Sequence, residues 1–495
     1  MVQSFRMCFF IALPACLLGL AGCTTLSPEA QSAALIAQAE AAMGSATLKT
    51  LTVTGRGTGA SVGQAHAPGM PWPALQLRAL SRSLNFETAG FREEFIRSRS
   101  EPLGGGAVPL MGQGEARGVV LARDAYAWDV VGVATVAAPA ALPERVHDLW
   151  TSTPQGAIKA AAQQRARAGV RRDFLRRWDT LSFELPGQFS ATLVLEDTGL
   201  ISCIESSVPH AVLGRMPVVT RFLDYGMRAG LMLPSRIVQT QGGHAALDLQ
   251  VTDAAADDVV EITVPDDVRA ASETVTVEKV ADGVWFLAGG THHSVAIEQA
   301  GQIVLVETPL HAGRTRAVFD AAGKLVAGKR VQAVINTHHH FDHAGGLRAA
   351  AATGATLYTS ALARPYLEAA FLASPAPPAH AAARAGPAPA FVAVDGRAVL
   401  NDDARPVEIH ELLGSLHARG LLMVWLPRER LLVQADAYTP GAPGAPPPEV
   451  PNANHLNLLQ NLERLGLAPR LVLPLHGRVT PAADLYAQIG RPMPP

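Results

Sequence analysis

Cysteine is scarce in this sequence of 495 residues, which has four, at positions 8, 16, 23 and 203. So few cysteines cannot build a disulfide framework, and an apolar core must hold the fold together. An excess of one charge is also missing, because 41 Lys and Arg residues face 43 Asp and Glu residues, for a net charge of −2. This balance gives no electrostatic basis for binding a nucleic acid, so no nucleic-acid partner is expected.

The first 22 residues predict an export signal. A single basic residue, Arg6, precedes an apolar run that is shorter than the roughly 20 residues of a membrane-spanning helix. The run ends in Leu20-Ala21-Gly22-Cys23, which resembles the bacterial lipoprotein signal. The resemblance implies removal of residues 1–22, lipidation of Cys23 and, because Thr24 rather than Asp follows, anchoring at the periplasmic face of the outer membrane. An ordinary signal peptide with a chance Cys is the alternative.

The next part of the chain is predicted to be rich in β-strands. Residues 23–47 comprise the lipidated start and an Ala-rich helix over Pro28–Met43, for which Ser27 and Pro28 are typical first residues. Residues 48–270 then follow strand patterns, including a hairpin around Asp197-Thr198-Gly199. The basic stretch Arg165–Arg177 predicts a solvated helix face.

A helix and then a β-meander behind a lipidated Cys is similar to the half-barrel folds of outer-membrane lipoproteins and their carriers. The similarity implies a concave apolar surface that holds lipid or a partner. A β-rich spacer that keeps a second domain away from the membrane is the equal alternative. The boundary is expected near Val264–Ser272, where Pro265-Asp266-Asp267 interrupts the strand pattern.

Histidine is concentrated in the second domain, residues 274–495, since 12 of the 16 lie between His292 and His476. Strand and helix patterns alternate there, which is typical of an α/β fold.

One run of histidines follows an apolar strand directly. The strand Val331–Thr337 leads into His338-His339-His340-Phe341-Asp342-His343. His338 and His340 point the same way in an extended chain, and the last two polar residues enter a turn that can reach a second ion. Packing alone does not explain four potential ligands at this spacing, so the run predicts a metal site.

The pattern His338-x-His340-x-Asp342-His343 resembles the signature of the metallo-β-lactamase fold, an α/β fold built as an αβ/βα four-layer sandwich with a two-metal site at one edge. Later motifs match in order over about Thr274–Pro495: Gly414-Ser415-Leu416-His417, Leu431–Asp436 and Leu473–Gly477. The resemblance implies two zinc ions, with iron or manganese as alternatives. The implied ligands are His338, His340 and His417 for one ion, Asp342, His343 and His476 for the other, and Asp436 as a bridge.

Four further residues have weaker support. Glu307 stands where the family normally has Asp, and we expect it to steady the histidine loop. Tyr438 resembles a Tyr that stabilises the oxyanion in some lactonases, although a packed ring is the usual role of such a residue. His292 and His293 follow Gly289-Gly290 in a loop near the site, where they are either substrate contacts or polar turn residues.

The implied chemistry is hydrolysis of a small-molecule substrate. Two metal ions lower the pKa of a shared hydroxide to about 7 and polarise the bond that it attacks. Asp342 is the expected catalytic residue, which orients the hydroxide and accepts its proton. An ester, lactone, thioester or amide in the cell envelope is the predicted substrate. The alternatives are a mononuclear iron oxygenase of the same fold and a lipoprotein that binds lipid or a partner.

Overall fold

The computed structural model describes residues 27–100, 104–106, 114–373, 389–403, 405–444 and 446–493. The predicted signal peptide and the predicted lipidation site Cys23 lie outside these residues. Within the described ranges, no helix has both the length and the apolar character needed to cross a bilayer.

The N-terminal part combines thirteen strands with four α-helices. The helices are α1 (Pro28–Met43), α2 (Leu142–Thr151), α3 (Pro154–Gln163) and α4 (Asp266–Ala270), and a 3-10 turn covers Pro139–Ala141. The strands are β1 (Thr50–Ala60), β2 (Ala74–Asn85), β3 (Gly90–Arg99), β4 (Glu115–Arg123), β5 (Tyr126–Val131), β6 (Ala134–Ala137), β7 (Arg167–Arg172), β8 (Arg177–Leu185), β9 (Phe189–Leu195), β10 (Ile201–His210), β11 (Gly214–Arg228), β12 (Leu231–Gln241) and β13 (His244–Ala256).

The predicted first helix is confirmed, and Ser27 and Pro28 take the predicted places at its start. Ser27 Oγ accepts a hydrogen bond from the backbone N–H of Ala30, and Pro28 occupies the first turn, where its missing N–H has no cost. The helix ends at Gly44, whose φ of +68° lets its N–H bond the carbonyl of Glu40.

All thirteen strands form one antiparallel sheet in the order β6-β5-β4-β3-β2-β1-β13-β12-β11-β10-β9-β8-β7. The pair β1–β13 joins two meanders, so the first and last strands lie side by side in the middle. One core cluster unites helix residues such as Met43, Leu149 and Ile158 with strand residues such as Leu193 and Leu233. The helices therefore cover an apolar face of this sheet, and the predicted β-rich domain is confirmed.

The prediction of a helix face at Arg165–Arg177 is wrong, because the stretch forms β7, a turn and the start of β8. Asp173 Oδ1 closes the turn by accepting from the N–H groups of Leu175 and Arg176. The basic side chains stay largely exposed, and some form ion pairs there, as Arg171 does with Glu205 of β10. The predicted solvation of the stretch therefore holds, whereas the predicted helix does not.

The C-terminal part adds thirteen strands and six helices among the described residues. The strands are β14 (Thr276–Ala281), β15 (Val284–Ala288), β16 (Ser294–Glu298), β17 (Ile303–Val306), β18 (Val331–Ile335), β19 (Thr356–Ser360), β20 (Phe391–Val394), β21 (Arg397–Leu400), β22 (Val407–Glu411), β23 (Leu422–Leu426), β24 (Leu431–Gln434), β25 (Leu471–Pro474) and β26 (Thr480–Pro481). The helices are α5 (Ala312–Ala322), α6 (Phe341–Ala344), α7 (Leu347–Ala352), α8 (Arg364–Ala373), α9 (Ala453–Leu465) and α10 (Ala482–Gln488).

These elements form two mixed sheets, one of seven strands (β14 to β20) and one of six (β21 to β26). A core cluster with Val304, Ile335 and Val433 lies between the sheets. Two further clusters pack α5 and α7 on the outer face of the first sheet, and α9 and α10 on that of the second. The predicted four-layer αβ/βα sandwich is therefore confirmed.

Two pairs of parallel strands bring loops to the site. Strands β17 and β18 run parallel in one sheet, and β24 and β25 run parallel in the other. Glu307, the histidine run, Asp436 and His476 follow the carboxyl ends of these four strands. Because parallel strands end at the same edge, the fold gathers these loops on one side.

The segment that links the two parts packs on the N-terminal sheet. Ile262, Val264 and Val268 share a small core cluster with Leu121 of β4 and Trp128 of β5. The predicted boundary at Val264–Ser272 thus begins within a packed segment. The domain limits expected from the sequence, 48–270 and 274–495, stay a prediction.

Leu193, fully buried in β9, provides a test of the N-terminal core. We predict that Leu193→Ala lowers the free energy of unfolding by about 2–5 kcal/mol, because it leaves a cavity that its neighbours cannot fill. Leu223→Ala, at a residue 37% exposed, is the control and should cost about 0.5 kcal/mol or less. Urea unfolding followed by circular dichroism measures both, and equal losses would contradict the assigned core.

Candidate metal centre

Seven polar side chains predicted from the motifs meet at the edge of the sandwich. His338, His340, Asp342 and His343 lie in and just before the short helix α6. His417 comes from the loop between β22 and β23, Asp436 follows β24 and His476 follows β25. The structure therefore brings together residues that are up to 138 positions apart in the chain, from 338 to 476.

Three histidines form the first group. One ring nitrogen each of His338, His340 and His417 lies within 4.8 Å of the others, and all three side chains are buried. The Nε2 atoms of His338 and His417 are 3.2 Å apart. Two buried nitrogens that face each other so closely suit ligands of a common cation.

The second group contains Asp342, His343 and His476, and His292 joins it. The Nε2 atoms of His343 and His476 are 3.0 Å apart. His292 Nε2 lies 3.1 Å from Oδ2 of Asp342. The imidazole of His292 is thus part of this group. From the sequence, His292 was only a candidate substrate contact or a polar turn residue.

Asp436 lies between the two groups. Its Oδ2 is 2.9 Å from Nε2 of His343, 3.6 Å from that of His417 and 3.7 Å from that of His338. Its Oδ1 is 3.4 Å from Nε2 of His476. One carboxylate therefore faces ligand atoms of both groups, as the bridging role requires.

Hydrogen bonds fix the orientation of the histidine rings. Nδ1 of His476 donates to the carbonyl of Thr291, and Nδ1 of His338 pairs with Oγ1 of Thr337, both at 3.0 Å. Nδ1 of His343 donates to Oε2 of Glu307, also at 3.0 Å. In each ring Nδ1 is bonded outside the cluster, so Nε2 faces into it.

Glu307 is fully buried and accepts from every partner that it contacts. Asn336 Nδ2 and the N–H of Thr337 donate to Oε1, and Thr337 Oγ1 and His343 Nδ1 donate to Oε2. The backbone of Glu307 has a φ of +72°, which a non-glycine residue adopts only when its surroundings hold it there. The longer carboxylate therefore reaches the histidine loop, which is the place that we expected for it.

Nδ1 of His340 is buried and has no hydrogen-bond partner among the described residues. Oδ2 of Asp436 is buried too, and no well-aligned hydrogen bond reaches it, although Nε2 of His343 is 2.9 Å away. A buried acceptor without a well-aligned partner costs about 1–3 kcal/mol, which a bound cation would offset. Both atoms belong to residues expected to bind metal, and nitrogen and carboxylate ligands suit zinc, iron or manganese.

The protonation states fit the same ligand set. Burial lowers the pKa of His338 and His340 well below the usual value, and neighbouring histidines add to the effect. Burial opposes the ionised form of Asp436, but His417 and His343 outweigh it and hold its pKa well below the usual range. Neutral imidazoles beside an ionised carboxylate are the forms in which these groups bind metal ions.

His343 and Asp342 form a charged pair in this environment. Burial opposes the charged form of His343, but Asp342 and Asp436 outweigh it and raise its pKa well above the usual value. Burial likewise opposes ionisation of Asp342, while His343 and His292 lower its pKa well below the usual range. The two carboxylates thus favour positive charge in this corner, whether a proton on His343 or a bound cation.

A family comparison agrees with this geometry. The family model of the metallo-β-lactamase superfamily matches residues 287–477, which include all seven clustered residues. The C-terminal part is a metallo-β-lactamase superfamily domain.

Three solved structures are similar to this chain. The metallo-β-lactamase from Pontibacter korlensis is 18% identical, with 44% of this chain and 98% of that chain covered and a TM-score of 0.34. The metallo-β-lactamase from Hirschia baltica is 20% identical, with coverages of 44% and 99% and a TM-score of 0.33. The rubredoxin oxygen:oxidoreductase from Desulfovibrio gigas is 18% identical, with coverages of 43% and 60% and a TM-score of 0.34.

Two candidate substrate contacts lie away from the clustered atoms of the metallo-β-lactamase domain. Tyr438 is fully buried in the core beneath α9 and α10, and its ring packs 5.0 Å from that of His455. Nδ1 of His293 accepts from the backbone N–H of Gly289, and the backbone N–H of His293 donates to the carbonyl of Leu475. In the described structure, Tyr438 is a packed ring and His293 holds a loop, which are the alternatives weighed for them.

Residues of the N-terminal part also reach the cluster, and the sequence did not indicate them. Gln64 Nε2 donates to Oδ1 of Asp342 at 2.8 Å, and the carbonyl of Ala65 accepts from Nε2 of His340 at 2.8 Å. Neither a lone Gln nor an Ala carries a pattern that would have identified it.

Glu307 provides a test of the support around the histidines. We predict that Glu307→Gln weakens metal binding by about 10–100-fold, because an amide places a donor against groups that already donate. Glu408→Gln is the matched control, since Glu408 also bonds a buried histidine, His410, but outside the cluster. Competition with a chromophoric chelator measures both affinities, and equal effects would contradict the role of Glu307.

Proposed function

We propose that this protein is a hydrolase that uses two divalent metal ions, zinc as the expected metal, on an ester, lactone, thioester or amide. One observation carries the proposal: two groups of ligand atoms, the first buried and the second partly buried, share the carboxylate of Asp436. Two ions bound there would supply an activated water, polarise the scissile bond and stabilise the leaving group. Both groups are complete, which favours two ions over the mononuclear iron alternative.

Asp342 is the residue proposed to manage the proton. Its Oδ2 faces Nε2 of His292 at 3.1 Å, and its Oδ1 accepts from Gln64 Nε2 at 2.8 Å. Both oxygens are thus oriented, and the carboxyl is held ionised, so it can accept a proton from the attacking water.

The chemistry of the cluster points to water as the nucleophile. Its members are imidazoles and carboxylates. The hydroxyl of Thr337 donates to Glu307 and pairs with His338, and that of Thr291 pairs with Nδ1 of His292. The described free cysteine, Cys203, is buried in β10 of the N-terminal sheet. A side-chain hydroxyl or thiol is therefore not the proposed attacking group.

The test combines metal analysis with turnover. We predict two ions per chain and hydrolysis of at least one member of a panel of lactones, thioesters, esters, β-lactams and phosphodiesters. Asp342→Ala should lower kcat/KM by about 10²–10⁴-fold, because it removes the proton acceptor and one ligand.

His410→Gln is the control, because His410 is a buried histidine outside the cluster, and its kcat/KM should equal that of the wild type. Turnover that persists after the metal has been removed would contradict the proposal. Iron in one site together with oxygen consumption would instead support the oxygenase.

We also propose that the protein is anchored in the cell envelope through lipid on Cys23. The motif Leu20-Ala21-Gly22-Cys23 supports it. A single acyl chain binds membranes only weakly, so a stable anchor needs the several chains of a lipoprotein.

Cys23→Ser should abolish incorporation of radiolabelled fatty acid and move the protein from the detergent phase to the aqueous phase in Triton X-114 partitioning. Cys203→Ser is the control and should leave both unchanged, because that thiol is buried within the sheet. Incorporation of label into the Cys23→Ser variant would contradict the anchor.

A further inference from the structure

A short segment of the N-terminal part leaves the large sheet and lies on the metal cluster. It comprises residues 61–66, directly after β1, and is called the strap below. Gly63 and Ala65 of the strap are buried. It is more than 270 residues distant in sequence from the histidines that it contacts, as for Ala65 and His340, 275 positions apart.

The carbonyl of Ala65 determines which nitrogen of the His340 ring carries the proton. It accepts from Nε2 of His340 at 2.8 Å and from Nε2 of the adjacent His339 at 2.9 Å. Because a carbonyl oxygen can only accept, the proton of His340 must be on Nε2. The lone pair is therefore on Nδ1, the buried atom that lacks a partner among the described residues.

The same part of the chain holds the loop that carries His417. His66 Nε2 donates to the carbonyl of Ser415 at 3.0 Å, and the N–H of Arg419 donates to the carbonyl of His66 at 2.7 Å. The N–H of Gly105 donates to the carbonyl of Leu416 at 3.0 Å. The loop is thus bonded on both sides of His417.

Gly105 and Gly106 are joined to the strap in turn. The N–H of Gly106 donates to the carbonyl of Gln64 at 3.0 Å. A Cβ on Gly106 would lie 3.0 Å from Cε1 of His417 and 2.0 Å from Oε1 of Gln64, so a side chain here would displace the Gln64 amide and crowd the His417 ring. Two N-terminal segments therefore pack as one unit against the first histidine group.

The second group is held differently. His343 is oriented by Glu307 and His476 by the carbonyl of Thr291, both within the metallo-β-lactamase domain. Gln64, which bonds Asp342, is the one strap side chain on that group in the described structure. Support from the N-terminal part is therefore concentrated on His340 and His417.

We propose that the strap is a positioning element of the first metal site, so that the N-terminal domain is a required part of the active site. The inference rests on the proposed metal-dependent function. It assigns the domain a role that neither a spacer nor an independent lipid carrier would have. Ala65 and His66 act through His340 and His417, so they are positioning residues rather than catalytic ones.

Gly63 offers a test with a matched control in the same loop between β1 and β2, just outside the strap. Its φ is +78°, and a Cβ would lie 2.1 Å from the ring of Phe341, the residue between His340 and Asp342. Gly69 has nearly the same φ, +76°, but no described atom lies within 4 Å of its Cβ position. Gly63→Ala and Gly69→Ala thus share the backbone strain, and only the first displaces the strap.

We predict that the full-length Gly63→Ala variant binds one zinc ion about 10–100-fold more weakly and loses less affinity for the other, on which the strap acts through Gln64 alone. Gly69→Ala should bind both ions like the wild type. Chelator competition gives the two affinities, and the visible spectrum of the cobalt-loaded protein reports the loss of nitrogen ligands from one site. Circular dichroism and thermal unfolding verify that both variants are folded.

His66→Ala is the second variant, because it removes the bond to Ser415 without changing the backbone. It should weaken binding of the same ion. If Gly63→Ala does not fold, His66→Ala alone tests the role of the strap. If the folded variants bind both ions with wild-type affinity, the proposed role of the strap is overturned, while the proposed metal-dependent function stands. A wild-type protein that binds no metal would instead refute the proposed function.

Discussion

Imidazole nitrogens that face one another are the constraint on which the site depends. The Nε2 atoms of His338 and His417 are 3.2 Å apart, and those of His343 and His476 are 3.0 Å apart. Nitrogens this close need a shared proton or a shared cation between them, and burial limits the water that could separate them. A shared cation would satisfy both rings of each pair, and the hydrogen bonds that hold Nδ1 of His338, His343 and His476 outside the cluster leave each Nε2 facing it.

The backbone at the strand ends carries part of this cost. Glu307 and Asp436 have φ values of +72° and +59°, in the left-handed region that non-glycine residues seldom adopt. Glu307 directly follows the buried parallel strand β17, and Asp436 comes two residues after the end of β24. Strain of about 1–3 kcal/mol persists only where neighbouring contacts hold it, and the packed sandwich provides those contacts.

The sequence predicted the residues whose side chains form local or strand-end patterns. The run from His338 to His343 is recognisable because strand β18 is apolar and its end is dense in ligands. Tyr438 was left with two possible roles, and the structure has the packed one, since Gln434 bonds its backbone twice and its ring lies in the core. The turn at Asp436 precedes it, and the geometry of that turn was not readable from the local pattern.

The strap could not be predicted for a different reason. Ala65 acts through its carbonyl oxygen, and Gly63 and Gly106 act by lacking a side chain, so residue type reveals nothing about them. For the strap the deciding contacts are distant in sequence, whereas the patterns used for prediction are local. The Arg165–Arg177 stretch was misjudged for another reason, because it forms the hairpin β7–β8, and a run of basic residues does not distinguish a solvated strand from a solvated helix.

The strap also couples metal binding to the contact between the two parts of the chain. If the first ion requires His340 and His417 in the positions that Ala65 and His66 hold, then binding of that ion strengthens the contact by the same free energy. The coupling follows from the bonds of the strap to the two loops and needs no change of fold. An N-terminal domain that served only as a spacer would have no such reciprocity, since its contacts would be independent of the metal ligands.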